Sequence, residues 1–181
     1  MQERLDRCET FESAIWRILD DAIALQGAEY GNVQLLVEPE LTLVANRNLP
    51  LGFLVHFQRL KDGGTACARA LRFGHPVVIS DVNEDPEFAP FRAQAAQAGF
   101  RAVQSTPLTT PAGKRLGIVS THFANEHRPT KIEMATLEAY GQIASQHAFD
   151  LLSGTPLAVM AEKMNTDMYR ATGYNPSFAA G

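Results

Sequence analysis

The most chemically suggestive run in the chain is Gly63-Gly64-Thr65-Ala66-Cys67. Flexible backbone there leads straight into a helix start, where free amides are able to bind an anion or a ligand carbonyl. The same setting lowers the pKa of a thiol, which makes Cys67 a candidate reactive group. The plainer reading is a capped helix with a small buried cysteine. A second set of polar residues interrupts two apolar runs: Gln104, Ser105 and Thr106, then Ser120, Thr121 and His122. A sheet that buries so many hydrogen-bonding groups either pairs them across its strands or offers them to a ligand.

Other chemistry is absent from the lettering. No Gly-x-Ser-x-Gly elbow, P-loop or dinucleotide-binding glycine fingerprint occurs. The five histidines are dispersed, with no i, i+4 pair and no cysteine cluster, so no metal site is expected. Asp20 and Asp21 are adjacent, which points them to different parts of a helix and makes them a poor acid/base pair. A length of 181 residues allows one domain with some flanking sequence. The net charge of -4 and the lack of a basic stripe argue against nucleic acid and anionic membranes as partners. No apolar run approaches the ~20 residues that span a bilayer. Met1 to Arg7 opens on charged residues rather than on a signal-peptide core. Two cysteines, Cys8 and Cys67, are too few for a disulfide scaffold. These features together predict a soluble cytoplasmic protein.

The elements that must position the polar residues follow from periodicity. Leu5, Cys8, Phe11, Ile15, Ile18, Leu19, Ala22 and Leu25 predict one amphipathic helix over residues 3 to 25, stopped at Gly27. Strands are expected at 32–37 and 41–47, with Asn32 and Gln34 making one face of the first wetter than the other. One or two helical turns fit residues 51 to 60. Thr65 caps a helix over 66–73 that Gly74 ends, and a buried strand fits Val77 to Val82. A turn-rich stretch leads to a helix over 91–98. Strands at 101–109 and 115–123 are then joined at Pro111-Ala112-Gly113-Lys114. Thr130 and Glu133 form a capping box for a helix running to about Leu152. On it Met134, Leu137, Gly141, Ala144, Ala148 and Leu151 make a heptad stripe. Beyond Ser153 the composition shifts to Gly, Thr and Pro. The expected division is a domain over 1–152 and a tail over 153–181. That tail holds a possible amphipathic helix through Leu157, Met160, Ala161, Met164 and Met168, then a disordered end from Ala171. Strands and helices mixed without regular βαβ alternation predict an α+β fold on an antiparallel sheet.

Four segments taken in order resemble the GAF domain family of small-molecule sensor modules. They are Ala28 to Leu36, Gly63 to Asp81 (GGTACARALRFGHPVVISD), Arg101 to Leu108 (RAVQSTPL) and Leu116 to Phe123 (LGIVSTHF). The similarity runs from about residue 4 to residue 152 and is greatest to GAF domains attached to bacterial signalling kinases. It implies a six-stranded antiparallel sheet with the terminal helices on one face and a pocket roofed by short helices on the other. Four strands come from the two hairpins and a fifth from 77–82; the sixth has no clear place in the sequence. The family commonly dimerises through its terminal helices, here residues 4–25 and 134–151, and the heptad stripe suits that use.

The resemblance also brings in an enzyme branch that reduces free methionine sulfoxide. Cys67 matches one of its cysteines, but Val77 and a residue near Ala96 stand where it carries others. Val103, Ser120 and His122 stand where its acidic pocket residues would be. Cys8, in the first helix, is far from Cys67, so no disulfide-forming reductase and no enzyme is expected. Bilin attachment at Cys67 would need an acidic, histidine-bearing helix that is not evident here. The same correspondence sets the strand phase. Val103, Ser105, Ile118, Ser120 and His122 are expected to face the pocket, with Gln104, Val119, Thr121 and Phe123 facing the helices. Thr65 and Cys67 would roof it, and Phe88, Phe91 and Phe100 would wall it. Such a site suits a small planar or anionic ligand, with His122 adding pH sensitivity if only partly buried. The first reading is a cytoplasmic sensor that binds an unidentified small molecule and signals through its terminal helices, with a signalling kinase or other output protein of a two-component system as partner. The second is a GAF fold used for dimerisation or protein interaction, its pocket closed by side chains.

Overall fold

The computed structural model describes the backbone of residues 2–61 and 63–174, with side chains from residue 4 onward. Helix α1 (Gln2–Leu5) is one short turn, and α2 (Phe11–Gln26) starts afresh behind it. The unbroken helix expected over 3–25 is interrupted at Thr10. Its hydroxyl accepts from the Ser13 amide while the Ser13 hydroxyl accepts from the Thr10 amide, a cap that apolar periodicity alone does not reveal. Gly27 closes α2 in a left-handed conformation, φ 61°. Strands β1 (Tyr30–Val37) and β2 (Glu40–Arg47) form a hairpin, followed by α3 (Leu51–His56) and β3 (Arg59–Leu60). Then come α4 (Ala66–Phe73), β4 (Val77–Ile79), a 3-10 turn over Ala89–Phe91 and α5 (Arg92–Ala98). The hairpin of β5 (Ala102–Thr109) and β6 (Arg115–Phe123) leads to α6 (Lys131–Leu151) and α7 (Leu157–Thr172).

The six strands form one sheet in the order β3-β2-β1-β6-β5-β4, each neighbour antiparallel. The sixth strand is β3, too short at two residues to leave an alternating pattern in the sequence. β4 ends at Ile79 rather than Val82. The Asp81 carboxylate beyond it bonds the Asn83 amide and the Arg101 guanidinium instead of continuing the strand. α2 and α6 cover one face of the sheet, where Leu19, Val119 and Ala144 share a core cluster. On the other face, Phe53 of α3, Ala95 of α5 and Val103 of β5 share a second, and Ala68 and Ala70 of α4 a third with Ile118. Among the described residues no helix is long and apolar enough to cross a membrane, and no three His, Cys, Asp or Glu side chains gather to hold a metal.

Two expectations change. The stripe on α6 is not free to join two copies: Leu137, Ala144 and Ala148 are buried inside the protomer against α2 and the sheet. A heptad pattern reports an apolar face, and here that face meets its own domain. Nor does the chain leave the domain at Ser153. α7 buries Ala161 and Met164 with the α2–α6 cluster, and Met168 and Tyr169 with Leu43 and Phe53 on the opposite face. It thereby crosses the edge of β2 beyond the short β3. There the Asn165 carboxamide donates to the Leu43 carbonyl at 2.6 Å, satisfying an edge acceptor of the sheet. The Gly, Thr and Pro after Ser153 are a tight connection between helices rather than a linker. Of the end expected to be disordered, residues 171–172 complete α7, and 175–181 lie outside the described residues.

Candidate functional site

Three neighbouring strands supply the floor of a small cavity. Asn32 on β1, Ser120 on β6 and Ser105 on β5 stand in one rung across the sheet. The Ser105 and Ser120 hydroxyls bond each other at 2.7 Å. His122, one inward position along β6, stands opposite Val103, and its Nε2 lies 2.8 Å from Asn32 Oδ1. Gln34, the next inward residue of β1, donates through Nε2 to the Phe57 carbonyl at 3.3 Å. All five polar residues are buried.

The roof has two halves that are held differently. One is the start of α4 with the loop before α5. Thr65 caps α4 by accepting from the Ala68 amide, and Gly64 packs so tightly that a Cβ there would lie 1.9 Å from the Glu87 carbonyl oxygen. Arg69 of α4 grips Asp85 with two bonds of 3.0 and 2.9 Å and bonds the Gly64 carbonyl at 2.9 Å. Asp85 in turn accepts from the Phe88 amide, which fixes the Phe88 ring over the cavity. Burial acts to raise the Asp85 pKa, but Arg69 and the backbone amides outweigh it and hold the carboxyl below its usual range. The other half is α3, which has no side-chain cap and lays Phe53 and Phe57 over the floor.

The space between floor and roof is about 30 Å³, roughly twice what one water needs by the same measure. Thr65, Cys67, Phe88, Val103, Ser105, Ser120 and His122 all line it. Ile118 faces the same side but sits farther along, under α4 with Leu60 and Ala68. Phe91 stands behind the wall, against Phe57 and Phe88. Asn32, Gln34, Phe53 and Phe57 also line the space and were not among the residues expected there. The wet face of β1 was the available signal for the first two, since polar residues at alternate positions share a face.

The electrostatics depart from expectation. Burial between Phe53 and Phe100, whose rings meet the imidazole at 5.5 and 4.5 Å, lowers the His122 pKa to about 3. The imidazole is therefore neutral at physiological pH and does not supply the pH sensitivity a partly buried ring would have. Burial pushes the Cys67 thiol up, even with the Thr65 hydroxyl 3.2 Å away, so the helix start does not activate it. Two atoms of the lining residues are buried without any partner, His122 Nδ1 and Gln34 Oε1. On the opposite face Gln104 is wholly buried with both side-chain polar atoms unpaired, and it takes no part in the cavity.

The sequence of residues 8–147 matches the family model of the GAF domain. No curated protein matches the chain. Among solved structures, the GAF domain of a phosphoenolpyruvate-protein phosphotransferase from Coxiella burnetii is similar, with a TM-score of 0.70 and 16% identity over 84% of this chain and 90% of that one. A domain assigned to a two-component sensor histidine kinase protein from Sinorhizobium meliloti 1021 reaches a TM-score of 0.61 at 17% identity, over 88% and 96% of the two chains. Free methionine-R-sulfoxide reductase from Neisseria meningitidis, solved with its substrate, reaches 0.65 at 16% identity, over 84% and 86%. At such identities each likeness speaks for the fold.

Proposed function

The chain belongs to the GAF domain family, and we propose that it acts there as a sensory module, taking a small molecule between sheet and roof and reporting its presence to a signalling partner. The observation that carries this reading is the pair of unpartnered buried atoms, His122 Nδ1 and Gln34 Oε1, on two residues that line one cavity. Leaving a buried polar group unpaired costs about 1–3 kcal/mol, and a ligand bonded to both would remove that cost. The yielding half of the roof supplies a route for the signal, because Phe53 and Phe57 must shift to admit more than a few atoms. A cytoplasmic location and a two-component output partner are part of the same proposal.

Native mass spectrometry of freshly purified protein tests it. The expected result is a small-molecule adduct that leaves on collisional activation. Protein that carries only its own mass, and gains none when offered cell extract metabolites, would hand the function to the second reading. That reading is a GAF fold that works through protein contact, and it is favoured by the small size of the cavity and the four phenylalanine rings that line it. We take the protein to lack sulfoxide reductase activity. In support, Cys8 packs with the α2–α6 cluster and Cys67 lies on α4, on opposite faces of the sheet.

A further inference from the structure

We infer that the cavity selects an uncharged ligand bearing hydrogen-bond donors, an amide or hydroxyl compound, and rejects anions of the same size. This rests on the sensory reading above and deepens it. The polarity of the wall follows from its hydrogen bonds. Gln34 Nε2 donates to the Phe57 carbonyl, so the carboxamide is oriented and its free Oε1 is an acceptor. With Asn32 oriented as the structure has it, Oδ1 accepts from His122 Nε2. The imidazole is neutral, so its single proton is on Nε2 and the unpartnered Nδ1 offers a lone pair. Two unpartnered acceptors thus belong to residues that line the space from adjacent strands, and both side chains are at least nine-tenths buried.

No positively charged side chain stands in the wall to compensate a negative charge. No lining side chain is lysine or arginine. At the start of α4, Thr65 already occupies the Ala68 amide. A helix terminus is worth about 0.3–1 kcal/mol to an anion, whereas desolvating an ion costs several. The anionic ligand expected from the glycine-rich run is therefore disfavoured by the residues that surround it.

The test uses 15N-labelled protein at neutral pH and a size-matched pair of probes, formamide and sodium formate. Long-range proton–nitrogen spectra should show His122 protonated at Nε2 and bare at Nδ1. Formamide should move the Nδ1 signal saturably, in the millimolar range open to so small a ligand, and formate at equal concentration should leave it unmoved. Gln34→Met should weaken formamide at least about tenfold by removing one acceptor. A proton on Nδ1 in the free protein, saturation by formate, or unchanged formamide affinity in Gln34→Met each overturns the inference while leaving a small-molecule pocket standing. Silence from both probes, with the tautomer as stated, removes the sensory reading along with it.

Discussion

Tyr169 of α7 donates its hydroxyl to the Leu54 carbonyl of α3 at 2.6 Å, across 115 residues of sequence. Tyr169 is completely buried and does not touch the cavity, yet it holds the helix that supplies the cavity's Phe53. The other half of the roof is fastened by Arg69 and Asp85. The roof is therefore fixed at one end by an ion pair and tied at the other by neutral hydrogen bonds, from Tyr169 to the Leu54 carbonyl and from Gln34 to the Phe57 carbonyl. The α3 end, which no ion pair holds, should therefore open first.

Removing the hydroxyl tests that asymmetry. Tyr169→Phe keeps the ring and its burial but strips the Leu54 carbonyl of its donor, at a cost of about 1 kcal/mol. Hydrogen exchange should quicken over residues 51–57 while residues 66–73 keep their protection. Equal acceleration in both segments would mean that the roof opens as one piece.

How much of this was legible beforehand divides along a physical line. Local signals were readable: the Thr65 cap, the Thr130 and Glu133 box, and the alternation that turns Ser105, Ser120 and His122 to one side. Phe53 and Phe57 were not readable as wall residues, because helix periodicity does not say which layer a short helix covers. Asn32 and Gln34 were seen to make a wet face, but their place in the site depends on β1 lying beside β6, a pairing some 90 residues apart in sequence. α7 failed for the same reason. Its apolar positions predicted a helix, while its docking over the β2 edge is a long-range fact.

Breaking the fixed end should be costly. Arg69→Met leaves Asp85 partly buried without its bidentate partner, and removing one member of such a pair costs up to about 3 kcal/mol. The sign of the pH effect follows. Because the folded carboxyl is held below its usual value, its contribution is present above about pH 4 and is lost as the pH falls through the folded value. Urea unfolding at pH 7 and pH 3 should therefore show the gap between wild type and variant narrowing in acid. A constant gap would assign the cost to packing alone.

The two sides of α6 should answer differently to the same charge. Ala144 is fully buried against α2 and the sheet, so Ala144→Glu should unfold the protein or cost more than about 3 kcal/mol. Ile143 is 45% exposed, and Ile143→Glu should change stability by no more than about 0.5 kcal/mol. Thermal melts read both, and light scattering on Ala144→Glu distinguishes the cases. A folded monomer obtained from a dimeric wild type would restore the stripe as an interface between copies.

His122 supplies the last test, through its depressed pKa. The unfolded imidazole binds a proton below about pH 6.5, whereas the folded one, desolvated between Phe53 and Phe100, waits until about pH 3. Between those values the unfolded state holds the extra proton, so stability falls as the pH falls, by up to about 1.4 kcal/mol per pH unit. Above about pH 6.5 both states are neutral and the residue contributes no slope. His127 has its pKa lowered in the same direction, by burial that outweighs the opposing charges of Glu133 and Glu29, so the wild-type slope alone does not isolate His122. The difference between wild type and His122→Phe does. Urea unfolding at half-unit steps from pH 7 to pH 5 should show that difference opening steadily below pH 6.5, a range where Asp85 and other carboxylates scarcely titrate. Parallel curves would mean that the folded ring takes up its proton as readily as the unfolded one, and below about pH 6.5 the cavity would then face a cation rather than a neutral acceptor.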